Sequence, residues 1–226
     1  MNGLIEIILL LFLLSSFLLT CSSRMLHCIR LVAVQGVLLG LLLLVVTEIE
    51  HSGFGHGILL LPLINIIFKG GVLPYLLRMS MEKAQVRREL EPLLGYGASS
   101  ILALVMIGAS FWFSKQLEGT VNPVSRLVAP VAFSSILIGL FLIIARRKAL
   151  TQVLGFLTFE NGIALFGAGM MIEHGAIIEL GILLDVFVFV FVVGIAVFQI
   201  NQEFQHIDAD RLNTLRDYHP KENAAE

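Results

Sequence analysis

The chain has 226 residues, of which 57% are hydrophobic and only 14% charged, with a mean hydropathy of +0.91. A soluble domain cannot carry that ratio, because its surface needs far more polar side chains; a bilayer removes the need. The formal net charge of -2 says little by itself, since in a membrane protein the placement of charge matters more than its sum.

A helix that crosses hydrocarbon needs about 20 mostly apolar residues. Seven stretches fit: Leu4–Thr20, Leu31–Thr47, Gly57–Leu77, Leu93–Phe113, Leu127–Ala145, Ala149–Met171 and Ile177–Gln199. Leu4–Thr20 has no Lys or Arg before it and Arg24 rather than a small-residue cleavage site after it, so it reads as a first helix and not as a removed signal. The apolar runs are unbroken, as in Leu38–Val46, whereas the strands of a membrane barrel alternate. The expected fold is an all-α polytopic membrane protein: a seven-helix domain over residues 1–200 and a polar tail over 201–226.

Lys and Arg set the orientation. Arg24 and Arg30 follow the first stretch. Arg78, Lys83, Arg87 and Arg88 follow the third, and Arg146, Arg147 and Lys148 the fifth; the tail holds Arg211, Arg216 and Lys221. The opposite loops hold only Lys115 and Arg126. The N-terminus is therefore expected outside and the C-terminus in the cytoplasm of a prokaryotic inner membrane.

Cys21 and Cys28 have no metal-ligand spacing and are expected to be free thiols. The histidines form no ligand pair on one helix face, and no phosphate loop, nucleophile elbow or dinucleotide fingerprint is present. Nothing in the sequence suggests a catalytic residue, a cofactor, a metal or a nucleic-acid partner.

Charges inside the bilayer are the most informative residues, since each costs at least about 2.5–3.5 kcal/mol at a helix centre. Lys69, Glu160 and Asp185 lie near the middle of the third, sixth and seventh stretches, and Glu179 near the outer end of the seventh. Allowing for the opposite directions of their helices, Glu160 and Asp185 differ in depth by roughly 4–5 Å, and Lys69 lies at a similar level. Burial makes the charged form of either group costly, so each is stable when neutral or paired. Two readings follow: Lys69 pairs with Glu160 or Asp185 and pins helices together, or these four groups line a proton path in the membrane plane. Gly70, Gly71 and Pro74 come just after Lys69; Pro74 cannot donate to the Gly70 carbonyl, which predicts a kink or a loosened turn.

The stretch from 146 to 217 contains Arg146-Arg147-Lys148, Gln152-Val153-Leu154-Gly155-Phe156, Glu160-Asn161-Gly162, Glu179-Leu180-Gly181-Ile182 with Asp185, and Asp210-Arg211-Leu212-Asn213. It resembles hydrogenase-4 component E, a membrane subunit of formate hydrogenlyase and related group 4 hydrogenase complexes. Gln35, Lys69 and Pro74 extend the resemblance upstream. The last three helices are similar, more distantly, to subunit K of NADH-quinone oxidoreductase, in which Glu160 matches a membrane carboxylate. That family's second carboxylate falls on Val190 here, five residues from Asp185, and is not carried over.

The resemblance implies a non-catalytic membrane-arm subunit of an energy-converting redox complex, contributing to proton or ion translocation or to anchoring of the arm. Its implied partners are the lipid bilayer and other membrane subunits, antiporter-like and quinone-subunit-like, of a hydrogenase or complex I-like assembly. The alternative is a subunit of a cation/proton antiporter or another secondary transporter.

Overall fold

A computed structural model of the chain describes residues 2–50, 60–83, 94–117, 124–146 and 148–169, with 190 and 194. Among these residues the regular structure is helical throughout. Helix α1 spans Asn2–Cys21, α2 Met25–Glu50 and α3 Leu60–Ile67; a π turn over Phe68–Val72 joins α3 to α4, Leu73–Lys83. Then come α5, Tyr96–Ser114, α6, Val128–Ala145, and α7, Ala149–Gly169. Among the described residues, four helical segments are long and apolar enough to cross a membrane: Gly3–Cys21, Met25–Val46, Tyr96–Ser114 and Val128–Ala145. Helix α7 has the length, at 21 residues, but Thr151, Gln152, Thr158, Glu160 and Asn161 interrupt its apolar character. The column from Leu60 to Lys83 is continuous, although the π turn divides it.

Each of the first six expected stretches thus contains helix in its described part, while nearly all of the seventh, Ile177–Gln199, and the whole tail over 201–226 lie outside the described residues. The boundary after α1 differs from expectation. Only Ser22, Ser23 and Arg24 separate α1 from α2, and Arg30 belongs to α2 rather than to a loop. The Arg24 carbonyl accepts the backbone N–H groups of His27 and Cys28, which closes the first turn of α2 early. Arg30 is exposed, and the long stem of arginine lets the guanidinium reach the membrane surface from within a helix.

Helices α1, α2, α6 and α7 form a four-helix bundle: α6 packs on α7 and α1, and α2 on α1 and α7. Helix α5 lies against α1 and α6, and the α3–α4 column against α2. The apolar core is divided. One cluster contains Leu19 of α1, Ile29 and Val32 of α2, Leu73 and Leu77 of α4, Ile138 and Leu142 of α6, and Val153, Leu154 and Leu157 of α7. The other contains Phe12, Leu39 and Leu42, Val131 and Ala132, and Leu165. In every helix of the bundle the switch from one cluster to the other falls at the same level, and polar side chains occupy it.

Candidate functional site: a polar layer across the bundle

The layer is built from residues that each interrupt an apolar run. Ser16 of α1, Gln35 of α2, Ser135 of α6 and Thr158, Glu160 and Asn161 of α7 are all almost completely buried. Lys69, 3% exposed, enters from the π turn. Its position depends on Pro74 and Gly36. Pro74 has no N–H to offer the Gly70 carbonyl, and its ring would strike that carbonyl in a regular α-helix. The backbone widens ahead of it: the Leu73 N–H donates to the Phe68 carbonyl, five residues back. Gly70 and Gly71 sit inside the widened turn. Gly36 lets the turn approach α2, since a Cβ there would lie 2.7 Å from Lys69 Cβ and 2.9 Å from its carbonyl carbon.

The Lys69 ammonium donates to Glu160 Oε1 at 2.5 Å and to Asn161 Oδ1 at 3.3 Å. This is an ion pair with both partners inside the protein, at 3% and 2% side-chain exposure. Beside it runs a chain of neutral groups. Gln35 Nε2 donates to Ser16 Oγ at 2.9 Å, and the Ser16 and Ser135 hydroxyls are 3.0 Å apart. Each hydroxyl also has a carbonyl one turn earlier on its own helix, Phe12 for Ser16 and Val131 for Ser135. Either serine can therefore donate to the other while its partner donates to backbone. Gln35 Oε1 is buried and accepts no hydrogen bond from the described residues.

Of the charges singled out in the sequence, the structure brings Lys69 and Glu160 together and adds Asn161. Glu179 and Asp185 lie outside the described residues. Ser16 and Ser135 escaped the sequence reading, which looked for charge; the signal available was a pair of adjacent serines in mid-span, Ser15-Ser16 and Ser134-Ser135.

Arg146 also differs from the loop charge expected of it. It is buried at the end of α6, donates from Nη2 to the Thr20 carbonyl at 3.1 Å and stacks over the Tyr96 ring at 5.0 Å. Its own carbonyl accepts from Gln152 Nε2 at 3.0 Å. It ties the ends of α1 and α6 to the start of α5, and the cation–π contact is one that lysine reproduces poorly. Arg146→Lys is expected to lower the melting temperature of the purified chain by a few degrees, corresponding to about 1 kcal/mol. An unchanged melting temperature would show that the guanidinium contributes nothing there.

The chain is 30% identical over 192 residues to "Uncharacterized protein Rv0085" of Mycobacterium tuberculosis, a match that spans 84% of this chain and 85% of the other. No family model and no solved structure matches it.

Proposed function

The chain belongs to the family of Rv0085 of Mycobacterium tuberculosis, and we propose that it is a non-catalytic membrane-arm subunit of an energy-converting, hydrogenase-type redox complex, in which the Lys69–Glu160 pair handles protons at mid-membrane. The observation that carries this reading is the pair itself, held with Asn161 in a layer that divides the apolar core. A pair of buried charges is a poor way to hold helices together. Well-packed apolar residues of similar volume are often as stable or more so, and hydroxyl or small-residue contacts join membrane helices at lower cost. Intramembrane ionisable groups mark ion and proton routes. The π turn that presents Lys69 is a device that recurs at functional sites. The resemblance to hydrogenase-4 component E supplies the setting: a peripheral arm does the redox chemistry, and this chain belongs to the arm in the membrane.

The decisive variant removes both charges at once. Lys69→Met with Glu160→Gln removes both members of the pair together, so the complex should assemble and pass electrons to an artificial acceptor at the normal rate. In proteoliposomes it should move no protons beyond background. Normal proton movement by this double variant would overturn the proton-handling role.

The setting has its own test. Affinity purification of the tagged chain from gently solubilised membranes should bring down iron–sulfur proteins and further membrane subunits. Recovery of the chain without any iron–sulfur protein would remove the redox assignment. For orientation, a reporter that fluoresces only in the cytoplasm should be bright when fused after Glu226; activity of a phosphatase that works only in the periplasm, fused at the same place, would reverse the topology.

A further inference from the structure

Resting on that reading, we propose that Gln35 Oε1 is a second docking point for the Lys69 ammonium, so that Lys69 passes between Glu160 on α7 and Gln35 on α2 as Glu160 gains and loses a proton.

Three observations converge on Gln35. It is 0% exposed, and only its Nε2 is used, on Ser16; Oε1 is an acceptor with no donor among the described residues. A buried acceptor left without a donor is costly, and its presence calls for a role. Second, its chain neighbour Gly36 meets the root of Lys69. Gly36 is in closest approach to Lys69 Cβ, and Gln35 Cα is only about 3.8 Å from that of Gly36. The four-carbon stem of lysine is flexible and its ammonium has three donors. Third, both groups lie in the one polar layer between the two apolar clusters. Asn65 Oδ1, the other buried amide oxygen without a donor among the described residues, is one turn back on Lys69's own helix and only part-buried. A move to it would not carry charge from one helix to another.

The sequence of states is simple. With Glu160 ionised, the ammonium sits on its carboxylate and on Asn161 Oδ1. A proton arriving at the Glu160 carboxylate cancels its charge, and its attraction for Lys69 is lost. The ammonium then takes Gln35 Oε1, moving positive charge from α7 towards α2. When that proton leaves Glu160, the carboxylate draws Lys69 back. The proton that enters at Glu160 is the one that leaves, and Lys69 keeps its own throughout. Lys69 thereby acts as a latch, and Gln35 as a positioning residue for its open state.

Two variants test this in the whole complex. Gln35→Leu keeps the ion pair, and Ser16 keeps Ser135 and the Phe12 carbonyl, so the membrane level of the complex and its electron transfer should stay normal. Proton movement per electron should fall to background; normal proton movement would overturn the second docking point. The other variant moves the carboxylate. Glu160→Gln alone should reduce the level of the chain, and adding Gln35→Glu should restore it, because the ammonium can reach its counter-charge on α2. A double variant no more abundant than Glu160→Gln would show that Lys69 does not reach position 35, and this readout stands even where Gln35→Leu assembles poorly. The two proposals fail separately. If the neutral Lys69→Met/Glu160→Gln complex still moves protons, the proton-handling reading falls. If that complex is uncoupled while Gln35→Leu is coupled normally, only the docking point falls.

Discussion

Glu160→Gln alone is expected to deplete the folded chain from the membrane, and Lys69→Met added to it is expected to bring the chain back. The geometry fixes the sign. Lys69 donates to Glu160 Oε1 at 2.5 Å with both side chains buried, so removing the carboxylate takes a counter-charge from a buried ammonium. Stranding one partner of a buried pair costs about 3–5 kcal/mol. That is a large part of the roughly 5–15 kcal/mol that separates folded from unfolded states of a typical protein. Asn161 Oδ1 remains as an acceptor, as does Gln35 Oε1 in the docking proposed above, which reduces the loss without supplying a counter-charge. Methionine at 69 removes the stranded charge and fills the space of the lysine stem, so the double variant should approach the unaltered level. Quantitative blotting of membranes and the melting temperature in detergent would both report it. A Glu160→Gln chain of normal abundance and melting temperature would mean that the pair carries little net energy. Failure of the second change to restore the first would place the damage elsewhere in α7.

The helical class and the depth of the charged residues were legible because both follow from composition. Apolar runs of membrane length have few alternatives to helix, and a lysine in the middle of one stands out. The choice between Glu160 and Asp185 as a partner for Lys69 was open, because depth alone does not say which helices touch. Contact between α2 and α7, and the entry of the π turn over Gly36, bring Lys69 to Glu160; Asp185 lies outside the described residues. The turn itself was legible only as a disturbance. Pro74 signals a missing hydrogen bond, but widening to a π turn is a response of the whole backbone. The neutral members were hidden for another reason. A serine in a membrane helix can bond to its own backbone, as Ser134 does to the Pro130 carbonyl at 2.6 Å, and nothing in the sequence distinguishes it from Ser135, which also meets Ser16 across the bundle. Arg146 misled because a basic residue at a helix end ordinarily faces water, whereas here a carbonyl and an aromatic ring take it in.

The closeness of α6 and α7 makes the second large effect. Gly139→Ala is expected to destabilise the chain, although alanine is the better helix former by about 1 kcal/mol. A Cβ at Gly139 would lie 2.6 Å from Phe159 Cα and 2.7 Å from Phe159 Cβ. The obstacle is mainly backbone, which no rotamer change can move aside, so one helix must shift. Overpacking of this kind costs about 1–3 kcal/mol and occasionally more. The same seam continues at Gly162, where a Cβ would meet the Ile136 backbone nitrogen at 2.9 Å, so local relief at Gly139 is opposed one turn further along. The consequence reaches the polar layer, because Phe159 precedes Glu160: a displaced α7 carries the carboxylate away from Lys69. The control is Gly108→Ala in α5, where nothing lies within 4 Å of the added carbon. That change should leave the melting temperature of the chain in detergent unchanged or slightly raised, whereas Gly139→Ala should lower it clearly and, on the proton-handling role proposed above, reduce proton movement as well. Equal shifts for the two glycines would mean that the approach of α6 to α7 is not what Gly139 provides.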